Sequence, residues 1–327
     1  MLDNKKNLKL ALAGAGILIA AIFTYLFLFG APEKRVSTEE FIVNLNTADN
    51  QAVIKNLKSK GFIKHSWALN FVFGFRNEQK IQPGGYEISK SMSPWKIAEI
   101  LSQKPHLVWV IIPEGLRKEE ISDILAKDLG WSADAKQKWI TDYTAMKYDY
   151  FEGVYFPDTY LIPVDEQPLD VATRLQAKFQ EEFAPYAAQA LKQNIKWDTA
   201  LKIASIIQRE AGGKTDMPII AGVLWNRLTI GMKLGIDATI QYARGNTGNG
   251  WWAPISVADK KIDSPYNTYL YAGLPPHPIC NPGIEAIAAV LSPAKTDCLY
   301  YLHDSSRVIH CAKTYEEHLA NIQKYLK

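Results

Sequence analysis

The sequence has almost no net charge. Its 37 Lys and Arg residues stand against 34 Asp and Glu residues in 327 positions, and outside residues 1–9 the two signs nearly balance. Proteins that bind nucleic acid carry a basic surplus on one face or along one helix. The absence of that surplus argues against nucleic acid as a partner. The length is enough for one large domain or two modest ones.

Cysteine is scarce, and histidine is scattered. The cysteines are Cys280, Cys298 and Cys311, and none has the spacing of a metal-ligand motif. The six histidines form no HExxH pattern. The sequence therefore predicts neither a metal site nor a cofactor.

The odd number of cysteines leaves at least one unpaired within the chain. Cys298 and Cys311 flank a predicted hairpin and can be bridged in an oxidising compartment. They are not directly opposite each other if the hairpin turns at residues 304–307, so their pairing stays open at this stage.

The longest apolar run lies at the amino terminus. Residues 10–32 contain no charged side chain and suit one crossing of a hydrocarbon core of about 30 Å. Lysines precede the run and Glu33 follows it, so residues 1–32 are predicted to be a cytoplasmic amino terminus and a transmembrane helix. A cleaved signal peptide is the alternative, but the run is long for one and Ala31-Pro32 is a poor cleavage site. Either way, we expect the remaining chain outside the cytoplasm.

Residues 37–112 mix short strands and helices. Strands are predicted at 41–45, 86–89 and 107–112, and helices at 47–60 with Thr47 as cap, at 65–75 and at 93–102. The size and order of these elements resemble a LysM-like module, in which two helices pack on a small sheet and bind glycans. A structural spacer without a ligand is the alternative.

Residues 113–327 are predicted to form a larger mixed domain, so the fold class is α+β. The predicted elements are an amphipathic helix at 171–183 stopped by Pro185, a core pair of helices within 195–228, an ordered proline-rich loop at 264–283, a hairpin of strands 299–303 and 308–311, and a closing helix at 315–325. Trp251 and Trp252 follow a glycine-rich loop. One exposed indole suits stacking on a sugar ring, and ordinary packing is the alternative.

The core pair of helices carries the candidate catalytic residue. From a cap at Asp198 or Thr199, apolar residues recur at steps of three and four as far as Glu210, after which Gly212 and Gly213 provide a stop. A carboxyl at the end of such a stripe is partly buried and lies at the negative end of the helix dipole. Both effects raise its pKa towards the range that a general acid needs. A solvated glutamate without a catalytic role is the alternative.

Seven motifs in order give the chain a family likeness. They are EGVYFPDTY at 152–160, ASIIQRE at 204–210, GVLWNRL at 222–228, LGIDATIQY at 234–242, SPYNTY at 264–269, GLPPHPICNPG at 273–283 and EEHLANIQKYL at 316–326. On these residues the chain resembles the YceG-like (MltG) family of endolytic peptidoglycan transglycosylases. Gln208 stands where the family often has an acid, and Ala238 stands where it has a proline.

The resemblance implies a LysM-like portion before a catalytic domain and a catalytic glutamate at Glu210, the residue that the helix pattern also selects. It implies cleavage of the β-1,4 bond between N-acetylmuramic acid and N-acetylglucosamine, which leaves 1,6-anhydromuramyl ends and terminates growing glycan strands. Peptidoglycan strands and the membrane are then the expected partners, with peptidoglycan synthases as further candidates. Residues expected to hold the sugar are Asn226, Asp237, Thr239, Gln241, Asn267 and Tyr269.

Two other functions stay open. One is a muramidase that uses Asp237 or Asp263 as its second carboxylate. The other is a membrane-tethered scaffold that binds peptidoglycan without cleaving it. The products made from glycan strands distinguish all three.

Overall fold

The computed structural model describes residues 2–47, 49–76, 80–144 and 152–326. These residues form a mixed α+β fold with a small sheet, as predicted. The chain divides into two compact units. The first comprises Met1–Trp109 and Tyr160–Asp165, and the second comprises Val110–Thr159 and Glu166–Lys327.

The first unit begins with α1 (Leu2–Phe29), which contains the predicted apolar run. Its stretch Leu12–Phe29 has no buried residue, and α1 is the one helix in the described part of the chain that is long and apolar enough to cross a membrane. The expectation of an amino-terminal apolar helix is confirmed.

A four-stranded sheet in the order β1-β2-β3-β4 frames the first unit. Strand β1 (Glu39–Val43) pairs antiparallel with β2 (Gly84–Ile88), which pairs antiparallel with β3 (Leu107–Ile111). Strand β4 is Thr159–Pro163. The helices of this unit are α2 (Asn50–Ser59), α3 (Ser66–Arg76) and α4 (Pro94–Leu101). Side chains of the sheet and of these helices share one core, which includes Phe41, Leu57, Leu69, Tyr86, Ile88 and Ile97.

One predicted cap in this unit is wrong. Helix α2 is capped by Asp49, whose carboxylate accepts a hydrogen bond from the Ala52 backbone N–H at 3.2 Å. Thr47 instead ends a short 3-10 turn, Leu45–Thr47. Both residue types cap helices, and Asp49 lies next to the first helical turn while Thr47 lies outside it.

The second unit is built around helices. Their bounds, with the carboxy-terminal strands, are α5 (Lys118–Leu129), α6 (Ala133–Lys138) followed by a π-helical turn (Trp139–Tyr143), α7 (Pro168–Lys192), α8 (Trp197–Glu210), α9 (Met217–Thr229), α10 (Asp237–Arg244), α11 (Ile284–Leu291), β5 (Tyr300–His303), β6 (Ile309–Ala312) and α12 (Tyr315–Tyr325). Helix α8 packs against α7, α9, α10 and α11. Its buried face follows the predicted stripe and includes Ala200, Leu201, Ile203, Ala204 and Ile207.

Two helix boundaries in this unit differ from the predictions. Helix α8 starts at Trp197, and its N-cap, Lys196, makes no side-chain cap hydrogen bond. Helix α7 continues through Pro185, which was expected to stop it. Proline removes one backbone hydrogen bond, but Phe183 and Ala190 are buried on either side of it, so tertiary packing outweighs the local loss.

The predicted hairpin forms at the carboxy-terminal end. Strands β5 and β6 are antiparallel, and Tyr301 is the register partner of Cys311. The turn closes where the Asp304 backbone N–H donates to the Val308 carbonyl. Cys298 lies two residues before β5 and forms a disulfide with Cys311, with the Cα atoms 5.8 Å apart. The structure thus answers the open question of pairing and leaves Cys280 as a buried free thiol.

Candidate active site

Glu210 is the last residue of α8, and the backbone of Ala211 after it is extended. The Glu210 side chain is half-buried. Its Oε2 accepts a 2.7 Å hydrogen bond from the hydroxyl of Tyr301 on β5. Among the residues that the structure describes, Tyr301 alone hydrogen-bonds to this carboxyl. The other carboxyl oxygen has no hydrogen-bond partner among the described residues.

The environment of Glu210 favours its protonated form. Burial raises the pKa of this carboxyl above its ordinary value of 4.5, and the negative charge of Asp237 acts in the same direction. The hydrogen bond from Tyr301 and the electrostatic influence of His303 and Arg227 oppose the increase without cancelling it. The position at the carboxy-terminal end of α8 adds a dipole effect of the same sign as burial. A raised carboxyl pKa is what general acid catalysis by a glutamate requires.

The strand that presents Tyr301 is fixed to α9. The Asn226 amide donates to the carbonyls of Thr296 and Cys298 at 2.8 and 3.0 Å. The Arg227 Nε donates to the Leu299 carbonyl at 2.6 Å. The Cys298–Cys311 disulfide ties the same segment to β6. Asn226, expected to contact sugar, therefore uses both amide hydrogens to hold the segment that leads into β5.

Asp237 and Tyr269 form a second polar group. Asp237 begins α10 and is exposed, and its Oδ1 accepts a 2.5 Å hydrogen bond from the Tyr269 hydroxyl. The Nζ of Lys260 lies 3.9 Å from that oxygen and 4.4 Å from the centre of the Tyr269 ring. Burial raises the pKa of Tyr269, and its bond to Asp237 and the charge of Glu210 act in the same direction. Asp237 and Tyr269 are thus coupled electrostatically to Glu210.

The other predicted sugar contacts hold the backbone of this region. Thr239 is fully buried, donates to the Ile236 carbonyl at 2.7 Å and contacts the Thr268 hydroxyl at 2.9 Å. Asn267 is also fully buried and fixes the loop between Lys260 and Leu270; it donates to the carbonyls of Lys260 and Ile262 and accepts from the amides of Tyr269 and Leu270. Gln241 donates to the carbonyls of Trp252 and Ala253. These three side chains therefore use their hydrogen bonds to hold nearby backbone segments in place.

Two arginines cover the adjacent tryptophans. The Arg209 guanidinium lies 3.9 Å from the centre of the Trp252 ring, and the Arg117 guanidinium lies 4.3 Å from the centre of the Trp251 ring. The Trp252 indole also donates to Glu120 at 2.9 Å. Both indoles are half-buried. Nothing in the sequence pattern marks Arg117, whereas Arg209 could have been noticed because it directly precedes Glu210.

A buried carboxyl joins two of the family motifs. Glu152 is fully buried and accepts hydrogen bonds from the Lys118 backbone N–H and from the Asn281 amide at 2.9 and 3.0 Å. Burial raises the pKa of Glu152 well above its ordinary value. At Gly153 the backbone has φ +94° and passes so close to α8 that a Cβ would lie 2.8 Å from Leu201. The motifs at 152–160 and 273–283 therefore frame α8.

The remaining acidic candidate lies in a different environment. Asp263 is exposed and accepts a 2.5 Å hydrogen bond from the Tyr271 hydroxyl. Asp237, by contrast, acts on the titration of Glu210. Within the described residues, no group of three His, Cys, Asp or Glu side chains could hold a metal ion. The site therefore offers one half-buried acid, a tyrosine bonded to it, and a carboxylate engaged with a second tyrosine.

Three bacterial proteins are similar to this chain over most of its length. The endolytic murein transglycosylases of Streptococcus pneumoniae serotype 2 and of Bacillus subtilis are each 28% identical to this chain, with 84% and 92% of the chain covered. The chain spans 56% of the pneumococcal protein and 90% of the Bacillus one. The yceG-like protein from Listeria monocytogenes, whose crystal structure is known, is also 28% identical to this chain. The superposition of the two structures has a TM-score of 0.59 and includes 87% of this chain and 99% of the Listeria chain.

A profile of the YceG-like family matches residues 45–324, which include the whole of the site around Glu210. That match covers most of the chain, and the motifs that predicted it surround α8. The chain therefore belongs to the YceG-like family.

Proposed function

We propose that this protein is a lyase, a peptidoglycan lytic transglycosylase, that cleaves the β-1,4 bond between N-acetylmuramic acid and N-acetylglucosamine within glycan strands. The observation that carries the proposal is the half-buried Glu210 carboxyl at the end of α8, with its raised pKa and one oxygen free of protein partners among the described residues. The two relatives named as endolytic murein transglycosylases support the substrate class.

In the proposed reaction Glu210 first acts as an acid. It gives its proton to the glycosidic oxygen as the bond to C1 of the muramyl residue breaks. The resulting carboxylate then takes the proton of the muramyl 6-hydroxyl, whose oxygen bonds to C1. The product is a 1,6-anhydromuramyl end, no water is consumed, and the carboxyl is again protonated. A tethered hydroxyl replaces the second carboxylate of a hydrolase and has the entropic advantage of an intramolecular nucleophile.

Tyr301 and Asp237 support the two protonation states in opposite ways. The Tyr301 hydrogen bond favours the carboxylate that acts as base, and the charge of Asp237 favours the protonated acid. The charge of Asp237 also suits an oxocarbenium-like transition state at C1. We keep Asp237 and Tyr269 as sugar contacts and assign Asn226, Thr239, Gln241 and Asn267 to the support of the site, because their hydrogen bonds go to backbone groups and to Thr268.

The proposed cellular setting is supported by the family resemblance and by the apolar helix α1. We propose that α1 is a single membrane anchor with a cytoplasmic amino terminus, that residues 37–112 act as a LysM-like module and residues 113–327 as the catalytic domain, and that cleavage beside the membrane ends glycan elongation. The lysines before the apolar run support this orientation. A contact with a peptidoglycan synthase would place the cut near new strands.

The test is product analysis with the full-length protein in detergent and uncrosslinked glycan strands. Wild type should release fragments with anhydro ends that take up no oxygen-18 from labelled water, and Glu210→Gln should release none. The control is Glu181→Gln, an exposed acid on α7, which should match wild type. Reducing ends carrying oxygen-18 would support a muramidase instead. Binding of strands without any cleavage by wild type would support the scaffold.

A further inference from the structure

Helix α3 is apolar on two faces. Before Arg76 it has no charged residue. One face, with Leu69, Val72 and Phe73, is buried in the core of the first unit. The opposite side carries Trp67, Phe71 and Phe75, which are 48%, 53% and 72% exposed. An amphipathic surface helix normally carries polar residues on the face away from the core, whereas on α3 these three aromatic side chains stay about half exposed or more among the described residues.

The exposed side of α3 continues from the end of the apolar helix α1. The ring centre of Phe29, the last residue of α1, lies 5.7 Å from that of Trp67 and 5.8 Å from that of Phe71. Phe29 also contacts Trp95 at 6.2 Å, and Trp95 contacts Phe75 at 5.7 Å. Trp67, Phe71, Phe75 and Trp95 thus form one surface, the aromatic patch, that is joined to α1 through Phe29.

The contact between the patch and Phe29 at the end of α1 indicates how deep in a bilayer the patch would lie. The apolar segment ends at Phe29, and the next charged residue is Glu33. A helix that spans the bilayer therefore reaches the boundary between acyl chains and headgroups near Phe29. Tryptophan and other aromatic side chains are favoured at this level because their rings are apolar and, for tryptophan, the N–H can reach water or headgroups.

We propose that the aromatic patch inserts into the headgroup–acyl boundary of the membrane, so that the first unit rests on the bilayer through α3 as well as through α1. This inference depends on the proposed membrane anchor and does not depend on the catalytic activity. The partner is the lipid surface, because the patch is continuous with the segment that enters it. A second copy of the chain is the competing occupant.

The test uses the full-length protein in nanodiscs and the quenching of tryptophan emission by brominated lipid. The segment α1 contains no tryptophan, so quenching reports on the folded part of the chain. Bromine atoms near the lipid headgroup should quench the tryptophan emission of the wild-type protein more than bromine atoms near the end of the acyl chain. Trp67→Phe should remove much of the quenchable emission. The matched control is Trp197→Phe in the second unit, where Trp197 is 40% exposed and where substitution should leave the quenchable component unchanged.

Circular dichroism and thermal unfolding of Trp67→Phe should match wild type, since the ring is conserved in type and half exposed. Wild-type emission that shallow bromines do not quench, or quenching that Trp67→Phe leaves intact, would overturn the proposal. If quenching of tryptophan emission is lost in nanodiscs that carry two copies of the protein, the patch binds a second copy, and the proposal of a lipid contact is overturned as well. Vesicle flotation distinguishes failure of the membrane anchor from failure of the patch contact. A protein that does not float with vesicles lacks the anchor. A protein that floats, but whose tryptophan emission is not quenched by shallow bromines, has the anchor and lacks the patch contact.

Discussion

The hydroxyl of Tyr301 donates a 2.7 Å hydrogen bond to the carboxyl of Glu210, a residue 91 positions earlier in the chain. The two residues lie on β5 and at the end of α8. The bond favours the ionised carboxyl, while burial favours the protonated one. In the proposed reaction, the balance between them decides over which pH range Glu210 can serve first as acid and then as base.

Removing the Tyr301 hydroxyl should change the pH dependence of the reaction in a defined direction. In Tyr301→Phe the pKa of Glu210 should rise further, because the bond that lowers it is lost. The limb at which activity falls with increasing pH should therefore move to higher pH. We expect kcat to decrease about tenfold, equivalent to about 1.4 kcal/mol for one hydrogen bond.

The measurement for Tyr301→Phe is kcat and kcat/KM on uncrosslinked glycan strands across pH. Tyr315→Phe, a substitution at an exposed tyrosine on α12, is the control and should give the wild-type profile. A Tyr301→Phe profile that superimposes on that of wild type would show that the bond does not tune Glu210.

Neutralising Asp237 should have the opposite effect on the same limb. The charge of Asp237 raises the pKa of Glu210, so Asp237→Asn should lower it and move the falling limb to lower pH. Activity near neutral pH should drop, while the products keep anhydro ends. Asp263→Asn, at an exposed acid bonded to Tyr271, should leave the profile in place. Complete loss of cleavage in Asp237→Asn, together with oxygen-18 uptake by the wild-type products, would instead identify Asp237 as the second carboxylate of a muramidase.

Opening the disulfide should affect both stability and the site. Cys298 and Cys311 enclose a short segment, with a sequence separation of 13, for which chain-entropy estimates give a loss of about 3 kcal/mol. The double substitution Cys298→Ser, Cys311→Ser should lower Tm and reduce kcat, because the segment that carries Tyr301 becomes less fixed. Reductant should mimic this effect on wild type and have no further effect on the double variant. Unchanged kcat at a clearly lower Tm would separate the disulfide from the positioning of Tyr301.

Substitution at Thr239 tests whether this buried residue supports the site or contacts the sugar. In Thr239→Val the Ile236 carbonyl loses its hydroxyl donor and keeps the Thr239 backbone N–H at 3.2 Å, and the buried Thr268 hydroxyl loses its contact with the Thr239 hydroxyl. The lost hydrogen bonds should cost about 1–3 kcal/mol, and Tm should fall by several degrees. KM should stay within about twofold of wild type, because the side chain is fully buried. Thr239→Ser keeps the hydroxyl and should restore most of the stability. A large increase in KM without a decrease in Tm would instead show that Thr239 contacts the sugar.

Several expectations followed from local patterns alone and hold in the structure. The apolar stripe of α8 and its end at Glu210 could be predicted because helical period is a local property, and burial of a terminal carboxyl follows from that period. The same applies to the apolar helix α1 and to the β5–β6 hairpin. The caps of α2 and α8 and the course of α7 through Pro185 were less accessible, because neighbouring residues can compete as caps and packing can override a proline.

The sequence by itself therefore determined the α+β class, the family and the glutamate that the proposed reaction needs, because periodicity, composition and motif order are properties of the linear sequence. Tertiary structure decided which groups surround that glutamate. Tyr301 reaches Glu210, Asn226 holds the segment before β5, and Thr239 and Asn267 turn inward only after distant segments pack together. The physical reason is that hydrogen bonds and burial depend on distances in space, and these are set by packing between residues far apart in sequence.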